Sequence, residues 1–248
     1  MLTNKTLNMN IVKRCFLTAT AAFALYGAQA QTADELINKH IEAIGGKEKL
    51  SAINAVRMTS TVQVMGNEAP STTTVVNGKG YRSESEFGGQ KMVQVVTDKG
   101  GWAINPFAGG EDPQPMPEEQ YKASQANIYV VPFLNYAANG YKVELQGQEK
   151  VGEVNAFKLK MTSKDNVAAT YYIDPATFYI VQMVQTGDMM GQPVEIRAKF
   201  SDYKKTDYGF VVPHTVDMNL GDQLSLTTTI TKVEVNPQVD AALFEMKK

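Results

Sequence analysis

Apolar and polar residues alternate one for one along most of this chain. Val194-Glu195-Ile196-Arg197-Ala198-Lys199-Phe200 does so without a slip, and residues 56–64, 157–162, 216–220 and 224–230 follow the same rule. Successive side chains of a strand point to opposite faces, so each run reads as a strand with one wet and one apolar face. A single antiparallel sheet, polar outside and apolar inside, accounts for all of them. The pattern predicts strands over 56–65, 71–76, 81–87, 91–97 and 102–105. Turn signals divide them at Gly66-Asn67, Asn77-Gly78, Gly88-Gly89 and Gly100-Gly101. From residue 141 it predicts seven more: 141–147, 156–162, 169–173, 179–186, 193–203, 211–220 and 224–235.

Two stretches break the alternation. Residues 31–53 read as helical. Thr32 and Glu35 form a T-x-x-E capping box, and Leu36, Ile37, His40, Ile41 and Ile44 make one stripe at helical spacing. Gly45-Gly46 ends that helix, because glycine readily takes the left-handed conformation of a C-cap. Leu50 and Ile53 suggest a further short helical turn. Residues 106–140 form an insertion poor in strand features. A Pro- and Gly-rich loop to Pro117 precedes a weak helix over 118–129 and another short helix over 132–138.

The first thirty residues have the order of an export leader. Lys5, Lys13 and Arg14 precede a short apolar stretch over 16–26, followed by the small-x-small site Ala28-Gln29-Ala30. Cleavage is expected near Ala30, so that the mature chain begins at Gln31 as one domain over 31–248. The single cysteine, Cys15, lies in this leader. The mature chain then holds no disulfide, thiolate nucleophile or cysteine metal site. Without the leader's three basic residues the formal charge of −2 falls to −5, and no long basic run exists. Nucleic acid is therefore not an expected partner.

Catalytic signatures are missing from the sequence. It has neither a G-x-S-x-G elbow nor a phosphate loop nor a dinucleotide fingerprint, and His40 and His214 are too far apart for a local metal motif. His40 reads as a partly buried, hydrogen-bonded residue of the first helix, and His214 as structural. The carboxylates Glu84 and Glu86 read as a solvated strand face.

Three local motifs remain. Asp98-Lys99-Gly100-Gly101-Trp102 is a turn leading into a strand that carries the only tryptophan. Tyr171-Tyr172-Ile173-Asp174-Pro175-Ala176-Thr177 is a hairpin turn, and Tyr203 to Pro213 repeats the strand-turn-strand logic. In this order, after a capped helix ending in Gly-Gly, they resemble the periplasmic lipoprotein-carrier superfamily of LolA-like, LolB-like and outer-membrane lipoprotein-sorting proteins. The resemblance covers nearly all of the mature chain. It implies a mostly β fold, a curved antiparallel unclosed β-barrel. An N-terminal helix and the helical insertion would cover its concave apolar face. Asp98, Gly100, Trp102, Asp174, Pro175 and Thr177 match the family's motifs as fold determinants. No position matches the carriers' cargo-gating arginine.

On this basis the chain is expected to be a periplasmic binding or carrier protein, a monomer without catalysis or cofactor. Its partners would be a lipid or an acylated protein, and envelope membrane proteins. The apolar strand parity nominates a cavity wall of Met58, Val62, Val64, Phe157, Leu159, Met161, Val181, Met183, Val194, Ile196, Phe200, Met218, Leu220, Leu224 and Leu226. The nominated lid is Leu36, Ile37, Ile41, Ile44, Tyr121, Ile128, Phe133 and Leu134. The methionines suit an adaptable pocket, since thioether chains repack around varied apolar shapes. An interaction or sensor module with a filled core is the alternative on the same fold.

Overall fold

The computed structural model describes residues 32–106, 110–189, 192–221 and 224–246. The leader expectation over 1–30, with Cys15, lies outside them. The chain opens with α1 (Ala33–Ala43) and α2 (Lys47–Ser51). Six strands follow: β1 (Ala55–Val64), β2 (Asn67–Val76), β3 (Gly80–Phe87), β4 (Gln90–Thr97), β5 (Gly101–Asn105) and β6 (Gly110–Pro115). After α3 (Glu118–Ser124) and a 3-10 helix, Gln125–Ile128, come seven more strands. These are β7 (Lys142–Val151), β8 (Val154–Thr162), β9 (Ala168–Ile173), β10 (Ile180–Met189), β11 (Gln192–Lys205), β12 (Val211–Leu220) and β13 (Leu224–Val235). A last 3-10 helix spans Ala241–Phe244.

All thirteen strands form one antiparallel sheet, in the order β6-β5-β4-β3-β2-β1-β13-β12-β11-β10-β9-β8-β7. Each half is a meander of hairpins, and β1 pairing with β13 joins them. The sheet does not close, so β6 and β7 are its edges. Both are blunted against further pairing: β6 carries Pro113 and Pro115, and β7 shifts register between Leu145 and Gln148.

The helical stop at Gly45-Gly46 is built from two backbone bonds, Gly46 to the Ile41 carbonyl (2.9 Å) and Gly45 to the Glu42 carbonyl (3.3 Å). It also docks the helix end on the β11–β12 turn. Val211 donates to the Ile44 carbonyl at 2.9 Å, and a Cβ on residue 45 would stand 3.1 Å from the Gly209 carbonyl oxygen. Glycine is required there for space as well as for its positive φ.

The structure corrects two expectations within the insertion. Residues 110–115 form the edge strand β6, where a loop was expected. Residues 132–138 are a run of turns, not a helix. Asn135 there takes a positive φ of 58°, which interrupts helical propagation.

Candidate functional site

Directly opposed residues on neighbouring strands share a face, so the register traces the inner surface residue by residue. One row crosses eight strands. It runs Val64, Leu226, Met218, Ala198, Met183, Tyr171, Leu159, Leu145, from β1 through β13 to β7. A second row joins Val62, Thr228, Val216 and Phe200, and a third joins Leu224, Leu220 and Ile196.

The helical cover fills one part of this face. Leu36, Ile37, Ile41, Ile44, Phe133 and Leu134 pack with Leu159, Met161, Tyr171 and Ile173 into the main core. Met58, Phe157 and Met183 pack against it half-buried. Phe133 sits near the centre, 1% exposed, with its ring against Tyr171 at 4.8 Å and edge-on to His40 at 5.8 Å. His40 donates from Nδ1 to the Phe178 carbonyl at 2.8 Å. Burial pulls its pKa down to about 4, against the smaller opposing effect of that bond, so it is neutral at neutral pH. The acceptor is set by the Asp174-Pro175-Ala176-Thr177 turn. Asp174 accepts from the Ala176 amide and the Thr177 hydroxyl, both at 2.9 Å, and Phe178 takes a positive φ of 56°.

Tyr121 and Ile128, the other nominated lid residues, belong to a separate cluster with Val96, Met116, Tyr81 and Tyr129 on the first half of the sheet. The nominated lid residues thus divide between two apolar clusters.

Beyond Ala198 the inner face leaves the main core. Val62, Val64, Val194, Ile196, Phe200, Met218, Leu220, Leu224 and Leu226 are half-buried and belong to none of the core clusters among the described residues. All but Val194 lie in the three rows traced above. Val216 belongs to the same surface and was not nominated, although its place in the Val216-Asp217-Met218 alternation marks it. Val181 stands apart. It is the residue skipped where the β9–β10 register shifts between Ile180 and Gln182. The nominated wall therefore divides into a covered part (Met58, Phe157, Leu159, Met161, Met183), an open apolar part, and Val181.

Two clefts lie against the insertion, of about 180 and 170 Å³. Both are smaller than the roughly 300–1,000 Å³ of a typical ligand pocket, and none of the nominated wall residues lines either. Among the described residues no group of three or more His, Cys, Asp or Glu is placed to hold a metal ion, and no helix is long and apolar enough to cross a membrane.

Trp102 lies on the opposite, convex face. It packs with Val93, Val95, Ile104 and Phe244, and donates from Nε1 to the Phe244 carbonyl at 3.0 Å. Trp102 thus anchors the C-terminal segment.

No protein-family model matches the sequence, and no curated protein matches it. Solved structures do. A LolA superfamily protein from Nitrosomonas europaea is 11% identical, with a TM-score of 0.58 over 87% of this chain and 98% of that one. A DUF1329 family protein from Desulfovibrio piger is 12% identical, with a TM-score of 0.57 over 87% and 98%. An outer membrane lipoprotein-sorting protein domain from Vibrio parahaemolyticus is 12% identical, with a TM-score of 0.56 over 85% and 94%. At such identity the likeness is one of fold, and it spans essentially the whole of each relative. With its unclosed antiparallel sheet and its helical cover, the chain has the LolA-like fold.

Proposed function

We propose that this protein is a periplasmic lipid carrier that holds an acyl chain, free or attached to a protein, along the open part of its inner face. The observation that carries this reading is the break in the inner row at Ala198. On one side the apolar residues are covered by the helices. On the other, Val64, Met218, Leu220, Leu224, Leu226 and Phe200 form a contiguous apolar surface, half-buried and outside the core clusters. A contiguous apolar surface of this kind marks a binding site more often than a scattering of single residues does. Burying a sixteen-carbon chain at about 0.8 kcal/mol per methylene gives roughly 12 kcal/mol before ordering costs. That scale supports binding and still permits release. The fold it shares with an outer membrane lipoprotein-sorting domain supports the same reading. The reading involves no catalysis and no cofactor.

One observation favours a second reading. Phe133 and His40 fill the centre of the covered face, 1% and 3% exposed. A filled core suits an interaction module that engages a partner protein through the open apolar surface instead of a lipid. Titration of the purified protein with an environment-sensitive fluorescent fatty acid separates the two. Saturable enhancement, reversed by palmitate, supports the carrier. A flat titration moves the assignment to the interaction module.

A further inference from the structure

The larger cleft is lined by none of the nominated wall residues. It is lined by turns from both halves of the sheet and by the insertion. Asp98 comes from the β4–β5 turn and Lys164 from the β8–β9 turn. Tyr121, Gln125 and Tyr129 come from the insertion, and Tyr141 immediately precedes β7. Tyr129 and Tyr141 meet at 86° with ring centroids 6.2 Å apart, the two walls of a corner. Tyr121 adds a third aromatic side chain, fixed by donating its hydroxyl to the Thr97 carbonyl at 3.0 Å. Aromatic faces carry negative quadrupole charge, and a partly desolvated cation beside them is attracted. Burial, with smaller contributions from Tyr129 and Asp165, pushes the Tyr141 phenol up to about 12, so it stays an uncharged ring at neutral pH. Among the described residues neither Asp98 nor Lys164 is in an ion pair. A carboxylate and an ammonium thus stand at the lips of an aromatic corner.

We infer that this cleft binds a zwitterion of the phosphocholine or phosphoethanolamine type, with its ammonium in the tyrosine corner beside Asp98 and its phosphate on Lys164. A simple anion fits less well, because Asp98 and Asp165 oppose it. The size agrees. About 180 Å³ admits a headgroup and not a diacyl lipid. The same chemistry is offered by a phospholipid headgroup and by a soluble zwitterion. The cleft uses none of the inner-face residues, so this inference stands or falls separately from the carrier reading.

Calorimetric titration with choline and with phosphocholine tests it. Both should bind saturably, and phosphocholine more tightly. Asp98→Asn should weaken both. Tyr141→Leu, which keeps apolar bulk and removes the ring, should weaken both by about tenfold. Lys164→Gln should leave choline unchanged and erase the preference for phosphocholine. Asp98 and Lys164 lie on exposed turns, so their variants should melt with the parent and keep the test valid if Tyr141→Leu unfolds. Co-sedimentation with phosphatidylcholine vesicles but not phosphatidylglycerol vesicles, lost in Asp98→Asn, assigns the site to a lipid headgroup. Choline binding without sedimentation assigns it to a soluble zwitterion, and either result supports the site. Absence of saturable heat with both probes overturns the inference. So does unaltered binding by Asp98→Asn together with Lys164→Gln.

Discussion

Met183 and Met218 lie in the same row of the sheet, separated by Ala198, and differ in what covers them. Met183 packs against the main core, while Met218 lies on the open surface. Met183→Asp should therefore place an unpaired carboxylate beneath the cover and cost several kcal/mol, enough to lower the melting temperature sharply. Met218→Asp should fold, because its carboxylate reaches water, and should lose fatty-acid uptake. Thermal unfolding and fluorescent fatty-acid titration of each variant check this. A folded Met218→Asp with normal uptake contradicts the placement of the site. His40 offers a second test. Its folded pKa of about 4 lies below the ordinary value near 6.5, so the unfolded chain binds the extra proton between those limits. The stabilisation from neutral His40 is complete above about pH 6.5 and is lost as pH falls toward 4, up to roughly 3 kcal/mol. Denaturant unfolding across that window should show this loss in the parent and a flatter profile in His40→Gln. At this scale the alternation marked the inner-face residues, because parity decides which way a strand side chain points. It did not reveal which of them the cover reaches. That depends on where Phe133 and Leu134 land, and a run of turns carries no periodic signal.

The strands were legible for the same reason, and the exceptions have identifiable causes. β6 contains Gly110, Pro113 and Pro115, residues that read as loop and are tolerated only at a sheet edge. The C-terminal 3-10 helix, too short for a pattern, folds onto the convex side of β3–β5. Arg82 donates to the Leu243 carbonyl at 3.1 Å. A Cβ on residue 80 would come within 2.9 Å of the Phe244 ring. Gly80→Val should therefore displace this segment and expose Trp102. As Trp102 is the only tryptophan, the emission maximum should shift to the red. The lost burial of Phe244, about 1–2 kcal/mol, should lower the melting temperature by a few degrees. An unshifted spectrum would show that the segment is not anchored as described.

For the whole molecule, the fold was readable because the motifs fall in a fixed order along an otherwise regular sheet. The half-covered inner face was not, since openness is a property of packing and not of any one residue. Export is an expectation of the sequence: amino-terminal sequencing of envelope-derived protein should begin at or near Gln31, and a start upstream that keeps Cys15 would contradict the cleaved leader. The carrier reading meets its most direct test in native mass spectrometry of the mature protein, purified gently from its own host, beside Met218→Asp. The account predicts a lipid-sized adduct on the parent that is missing from the folded variant. A parent that carries no adduct, or a variant that keeps it, contradicts a lipid on the open inner face.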